Sequence, residues 1–517
     1  MLRNYRVILC VARQILLTCV ALCFSATAVA EIRSAPWKAG VARVKITPVE
    51  SMWMAGYAAR THSSEGVLQD LWVKALALED GAGGRAVIVT SDLLGLPRNL
   101  SEQVCARLQQ KLELRREAVM LTTSHTHSGP VLRDALYDIY PLDAEQLAKI
   151  EAYSQQLETQ MVEAVEMAFA RLEPATLATG MGNAGFAINR RNNTEKDVEE
   201  GKPVKGPVDH SVPVLRVSRS NGELLAIVFG YACHNTTLDS YQWSGDYAGF
   251  AQDDLEKDHP GATSLFFAGC GADANPIPRR SVALCEKYGR QLADAVNHAL
   301  ANSMKPLDAK MEAAFSRINL RLAPPPSREE LIARTKSETD WIRRWARRML
   351  AEMEEGKQFA PTYPYPVQVW RLGNRQLWIA LGGEVVVDYA LRLKHELGDS
   401  IWATAYANDV MAYIPSVRVL NEGGYEGARS MMVYGLPSVW DATIEEHIVR
   451  EVHRLVNGLK PRHNQSKVEG RKSKVTGQRV TGHRSQVTAS QVGRSQVGRS
   501  ASQMLLEVSC DLRPVTF

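Results

Sequence analysis

Short apolar runs that stop at polar or glycine-rich turns recur along the chain, and helical spacing often follows them. Ala86-Val87-Ile88-Val89-Thr90 meets Ser91-Asp92, and after Pro97 the pattern predicts a helix through about Leu112. Ala118-Val119-Met120-Leu121 meets a Thr/Ser/His stretch that ends at Gly129-Pro130. Leu225-Ala226-Ile227-Val228-Phe229 leads into Tyr231-Ala232-Cys233-His234. Ser264-Leu265-Phe266-Phe267 leads into Gly269-Cys270-Gly271-Ala272-Asp273, with a helix predicted from roughly Val282 to Ala301. Leu377-Trp378-Ile379-Ala380 leads into Gly382-Gly383-Glu384 and a helix to about Leu397, and Trp402-Ala403-Thr404-Ala405-Tyr406 leads into Asn408-Asp409. Strands alternating with helices predict an α/β fold of mixed β-sheets flanked by helices. In such folds the active site lies at the C-terminal ends of strands. The stretch from about Ser327 to Gly356, with Trp341 and Trp345 among many Arg and Glu residues, predicts one inserted amphipathic helix with an apolar seam. A lid over a lipid site is its second reading.

Both ends leave this pattern. Arg3 and Arg6 precede an apolar core from Ile15 to Ala26, and Ala28-Val29-Ala30 has the small-x-small form of a cleavage site. Residues 1–30 therefore read as a secretory signal peptide, cut before Glu31 and too short to span a bilayer. Residues 460–517 read as a disordered basic low-complexity tail. Ser-Gln-Val recurs at Ser485, Ser490 and Ser495, and ten Lys/Arg face the single acid Glu469 between Lys460 and Ser500. Between them, residues 31–459 form one expected domain, since no Pro/Gly/Ser linker divides it.

Composition then changes one inference. The whole chain carries a formal +4, but without leader and tail its 47 basic and 54 acidic residues give −7. Nucleic acid is not an expected partner of the folded part. Cys105, Cys233, Cys270 and Cys285 are too sparse for a disulfide framework, and buried free thiols are expected at Cys233 and Cys270.

The candidate chemistry centres on His125-Thr126-His127, which holds two of only twelve histidines. At the end of a strand, alternation places both imidazoles on one face, and Ser128-Gly129-Pro130 leaves them at a loop mouth. Imidazole is the commonest metal ligand and a proton carrier near neutral pH. His234, Glu384 and the Asp409–Tyr413 stretch also follow apolar strands. A catalytic zinc takes about three protein ligands and leaves a position open, and residues from several strand ends can surround one ion. Taken singly, each has a plainer role. His234 reads as a core histidine, Glu384 as a carboxylate at a helix start, Tyr413 and Tyr425 as packing residues, and Arg190 as a surface charge.

Several motifs in order carry a resemblance over Val41 to Gly435. They are Val41-Ala42-Arg43-Val44-Lys45-Ile46-Thr47-Pro48, Met54-Ala55-Gly56-Tyr57, Ser124-His125-Thr126-His127-Ser128-Gly129-Pro130 and Asn189-Arg190. Further along come Ala232-Cys233-His234-Asn235-Thr236, Gly383-Glu384, Asn408 to Tyr413, and Tyr425-Glu426-Gly427-Ala428. Together these resemble the neutral/alkaline non-lysosomal ceramidase family. The resemblance implies Zn2+ held by His125, His234, Glu384 and Tyr413, with His127 beside the ion as a proton-transfer or orienting group. It implies that Arg190 and Tyr425 face the substrate carbonyl and the tetrahedral oxyanion. It further implies an exported amidohydrolase cleaving a lipid-like N-acyl amide, ceramide first among candidates, with peripheral membrane contact. Oligomeric state is left open. Two departures from the family stand out: Asn275 aligns with a family serine that has been considered catalytic, and residues 460–517, read as a tail, are not expected to form a counterpart of the C-terminal immunoglobulin-like domain of the larger ceramidases. A non-catalytic exported binding protein of the same fold, or a zinc esterase or amidase on a non-sphingoid substrate, is the alternative.

Overall fold

In the strand Arg85–Ser91, Ala86 and Ile88 enter one core while Val87 and Val89 enter another. This is the two-residue period of an extended chain. Neither face meets water, so the run shows no polar alternation. The computed structural model describes residues 36–459, and the signal peptide and basic tail expected at the two ends lie outside the described residues.

The larger sheet comprises β1 (Trp37–Lys45), β2 (Trp72–Glu79), β3 (Arg85–Ser91), β4 (Val119–Thr123), β5 (Glu173–Asn183), β6 (Ser211–Arg219), β7 (Leu224–Tyr231), β8 (Thr263–Ala268) and β9 (Lys305–Leu307). Its order is β8-β7-β6-β5-β1-β2-β3-β4, with β9 also paired to β5. The two outermost pairs, β3–β4 and β7–β8, are parallel and the rest antiparallel. Parallel neighbours need a crossover, and helices supply it: α1 (Arg98–Leu112) before β4 and, after the long α2 (Ala144–Ala170), α3 (Asp246–Asp258) before β8. Then α4 (Val282–Ala301) begins at Ser281, whose side chain accepts from the amide of Leu284.

A second sheet runs β10 (Met311–Arg321), β11 (Thr362–Leu372), β12 (Gln376–Leu381), β13 (Trp402–Thr404). Along β12, Trp378 and Ala380 join the core shared with the larger sheet, while Ile379 and Leu381 turn to the core that includes α7 (Val387–Leu397) and the C-terminal helix Ile444–Gly458. Between the sheets the indoles of Trp370, Trp378 and Trp402 stack edge to face at centroid separations of 6.1 and 5.1 Å. Burial does not strand their polar edges: Trp370 donates to the carbonyl of Glu117 and Trp378 to the Thr404 hydroxyl. Helices thus cover the outer faces of two packed sheets, as the α/β pattern predicts.

One prediction is corrected. The stretch Ser327–Gly356 holds two helices, α5 (Arg328–Arg334) and α6 (Asp340–Glu354), rather than one. A capping box at Ser327 and Glu330 starts the first. The hydroxyl of Thr335 bonds back to the carbonyl of Ile332, and the Ser337-Glu338-Thr339 turn competes with the helix ladder before α6 begins. The expected apolar seam exists, with Leu331, Trp345, Ala346 and Met349 forming their own small core. All four expected cysteines are free and buried.

Candidate metal centre

Six of the seven predicted site residues lie beyond the C-terminal end of a strand or in or after a short ribbon there, and Tyr425 opens a helical turn that follows the helix Val417–Glu422. His125 comes after β4, His234 after β7 and Glu384 after β12. Short pairings stitch these loops together. Thr126 bridges Asn235 in parallel, joining the two histidine loops. Glu384 pairs with Tyr413, and Ala274 with Asn189, which sets Arg190 beside them.

The imidazole pair converges for a reason other than strand alternation. The strand stops at Thr123, and His125 adopts the left-handed region at φ 60. This turn, rather than a pleat, aims both rings inward, and their Nε2 atoms lie 3.2 Å apart. Gly56 is required opposite: at φ 101, a Cβ there would sit 2.5 Å from Cγ of His127.

The donor atoms form a connected set. His125 Nε2 and His234 Nε2 each lie 3.1 Å from the same carboxylate oxygen, Oε2 of Glu384. The Tyr413 hydroxyl is 3.1 Å from His234 Nε2. His125, His127 and His234 offer nitrogens all within 4.8 Å of one another. Outer contacts fix the rings: Nδ1 of His125 donates to the carbonyl of Leu94 at 2.7 Å, and Nδ1 of His234 to that of Gly271 at 3.1 Å. With the proton on Nδ1, neutral Nε2 carries only a lone pair. Two lone pairs then face a carboxylate oxygen with no hydrogen between, which repels unless a proton or a cation lies among them.

A proton on His234 or His127 is disfavoured. Burial, reinforced by the charge of Arg190, lowers the His234 imidazole to about 4. Burial and the neighbouring imidazoles push His127 well below its ordinary value. Burial opposes the charge on Glu384, but His125 and His234 outweigh it and hold the carboxyl well below the usual range. A metal ion among these atoms would resolve the arrangement. Tetrahedral ligands about 2.0–2.1 Å from zinc lie roughly 3.3 Å from one another, close to the spacing of these atoms. The residues therefore fit a divalent metal, and the backbone carbonyls behind His125 and His234 are the orienting partners such ligands take.

Arg190 organises the opposite side. Its Nε donates to Glu426 at 2.8 Å, Nη1 to the Asn275 side-chain oxygen at 3.2 Å and Nη2 to the Tyr413 hydroxyl at 3.0 Å. Glu426 is buried and also accepts from Arg191 at 2.5 Å. The Tyr425 ring lies 5.2 Å from that of Tyr413, with the Arg190 guanidinium 5.9 Å from its centroid. Burial raises the phenols of Tyr413 and Tyr425, so both stay protonated donors. All seven predicted residues, His125, His127, Arg190, His234, Glu384, Tyr413 and Tyr425, thus meet in one place.

Sequence reasoning missed other members. The Tyr434 hydroxyl donates to Oε1 of Glu384 at 2.5 Å. Tyr406 stacks on His125 with centroids 4.2 Å apart, and its buried hydroxyl has no hydrogen-bond partner. Glu426 lies within the motif Tyr425-Glu426-Gly427-Ala428, and its place next to Tyr425 is the one sequence signal for it. Nothing around Tyr434 in the sequence marks it.

Known proteins agree with this architecture. The profile of the family described as Neutral/alkaline non-lysosomal ceramidase, N-terminal, matches residues 37–319, more than half of the chain. The neutral ceramidase of Pseudomonas aeruginosa is 28% identical over 259 residues, which span 47% of this chain and 37% of that protein. Neutral ceramidase A of Dictyostelium discoideum is 28% identical over 226 residues, 41% of this chain and 30% of its own length. The chain thus aligns with well under half the length of these relatives. The crystal structure of the Pseudomonas aeruginosa neutral ceramidase superposes with a TM-score of 0.63 at 20% identity, covering 82% of this chain and 74% of that one. Glu384, Tyr413 and Tyr425 lie beyond the profile match, so geometry alone joins them to the histidines. On the strength of the profile match, this chain belongs to the neutral/alkaline non-lysosomal ceramidase family.

Proposed function

We propose that the chain is an exported zinc-dependent amidohydrolase that cleaves an N-acyl amide, with ceramide, giving sphingosine and a fatty acid, the leading substrate. One observation carries the reading: two tautomer-fixed imidazoles and a carboxylate present only lone pairs to one another in a buried cluster. Family membership supplies the substrate class. His125, His234, Glu384 and Tyr413 would hold the ion. When bound, zinc supplies a Lewis acid and lowers the pKa of a water from roughly 15.7 to about 7.

The protein's own groups do the rest. His127 sits against His125 in the buried site, where it is placed to pass a proton to the leaving nitrogen. Arg190 is locked in orientation by Glu426 and Asn275 and turns positive charge toward the space beside Tyr413. Tyr425 adds a protonated phenol. Such donors favour the charge that develops on the carbonyl oxygen only in the transition state. Asn275 is no nucleophile; here it accepts from Arg190, so the chemistry needs no acyl-enzyme at this position. A lipid substrate entails peripheral membrane contact, although no helix among the described residues is long and apolar enough to cross a membrane.

Metal analysis of the secreted protein, followed by a panel of N-acyl substrates, tests the reading. Stoichiometric zinc and fatty-acid release from ceramide, both lost in His125→Ala, are expected. Zinc without release from any ceramide removes the substrate. Activity intact in His125→Ala removes the metal mechanism.

A further inference from the structure

The inserted helix α6 touches none of the donor atoms, yet it grips both walls of the site. On one wall, Nη2 of Arg348 donates to the carbonyl of Gly435 at 2.8 Å, and the Trp345 indole donates to that of Leu436 at 3.2 Å. Met432 packs on the small core of Trp345 and Met349. The turn so held carries Tyr434, the residue bonded to Oε1 of Glu384. On the other wall, Arg348 pairs with both carboxylate oxygens of Asp138, at 2.7 to 3.1 Å. Arg344 donates to the carbonyls of Asp138 and Ile139. The next residue, Tyr140, accepts at its hydroxyl from the amide of Gly56, the glycine that makes room for His127.

We propose that α6 is a clamp and that Arg348 is a positioning residue, acting through Tyr434 on Glu384 and through Asp138 and Tyr140 on the Gly56–His127 wall. A guanidinium suits the task because its planar fork can grip a carboxylate and still reach a carbonyl. The metal arm of the claim rests on the proposed zinc site. Groups behind a metal ligand typically alter metal affinity 10–100-fold when removed.

The experiment uses the full chain with Arg348→Met, Tyr434→Phe and the double variant, plus Arg348→Lys and Trp345→Phe as milder changes. Zinc affinity by chelator competition is expected to fall about tenfold or more in Arg348→Met and in Tyr434→Phe. The double variant is expected to be no weaker than Tyr434→Phe alone, because the two act in series. Hydrogen exchange of the metal-free protein is expected to speed up over residues 430–436 in Arg348→Met, and less in the milder variants, while β2 and β3 stay protected. Unchanged exchange in that turn, or zinc losses that multiply independently, overturns the clamp. If the unaltered chain binds no zinc, the proposed function falls, and exchange still decides the clamp.

Discussion

Replacing Arg190 by methionine removes three hydrogen bonds and one buried positive charge while keeping an unbranched apolar stem. Of these bonds, the one to Glu426 dominates stability: the carboxylate is 6% exposed and the guanidinium 19%. Breaking a buried pair from one side costs about 3–5 kcal/mol because the remaining charge is stranded. Arg191 still contacts the other oxygen of Glu426 at 2.5 Å, so the expected loss lies at the low end, about 3 kcal/mol. Rate should suffer separately. Loss of one transition-state donor costs about 10²–10³ in kcat, and Tyr413 loses its fixed neighbour as well. Urea denaturation reads the first effect and fatty-acid release from an N-acyl substrate the second. Adding Glu426→Gln separates them, since removing both partners relieves the stranded charge: stability is expected to recover by more than half while activity stays low. Recovery of activity in the double variant would refute the assignment of Arg190 to the reacting centre and leave it a purely structural cation.

Three further outcomes are expected. Stripping metal with a chelator should lower the melting temperature, and restoring zinc at 100 times its dissociation constant should return about 2.7 kcal/mol by mass action, read by calorimetry; an unchanged melt in both directions contradicts the site. Burial raises the Asp409 carboxyl from 3.8 to about 7, so its contribution to stability is full below the unfolded value and fades as pH rises through about 7. Asp409→Asn should flatten that decline, worth at most about 4 kcal/mol between pH 4 and 8; identical pH profiles would contradict a buried protonated acid beside Tyr363. Gly56→Ala forces a Cβ against His127 and strains a backbone at φ 101, so activity should fall at least tenfold while zinc, which His125, His234, Glu384 and Tyr413 would hold, remains at stoichiometry. Loss of zinc in that variant would make His127 a ligand instead of a neighbour.

Much of this was legible in the chain, and the parts that were not share a cause. The helix expected from Val282 to Ala301 has those bounds, because Ser281 marks its start and an amphipathic face runs its length. The strand cores were visible as short apolar runs, since two buried faces leave no polar alternation. Residues whose role comes from one tertiary contact were invisible. Tyr434 reaches Glu384 across fifty positions, and no local pattern encodes such a pair. Strand alternation predicts a shared face for His125 and His127, whereas a left-handed turn, not a pleat, directs the His125 ring. The break between α5 and α6 was missed because amphipathic spacing continues across a Thr/Ser turn that only the backbone interrupts.

The donors come from both sheets, and this orders events in time. His125 and His234 ride on the larger sheet, while Glu384 and Tyr413 follow strands of the second. Contacts so distant along the chain form late, because loop closure must precede them. Before the second sheet docks, the larger sheet presents its histidines without Glu384 or Tyr413. Were a metal bound as proposed, only a chain whose two sheets have docked could present it with all four donors.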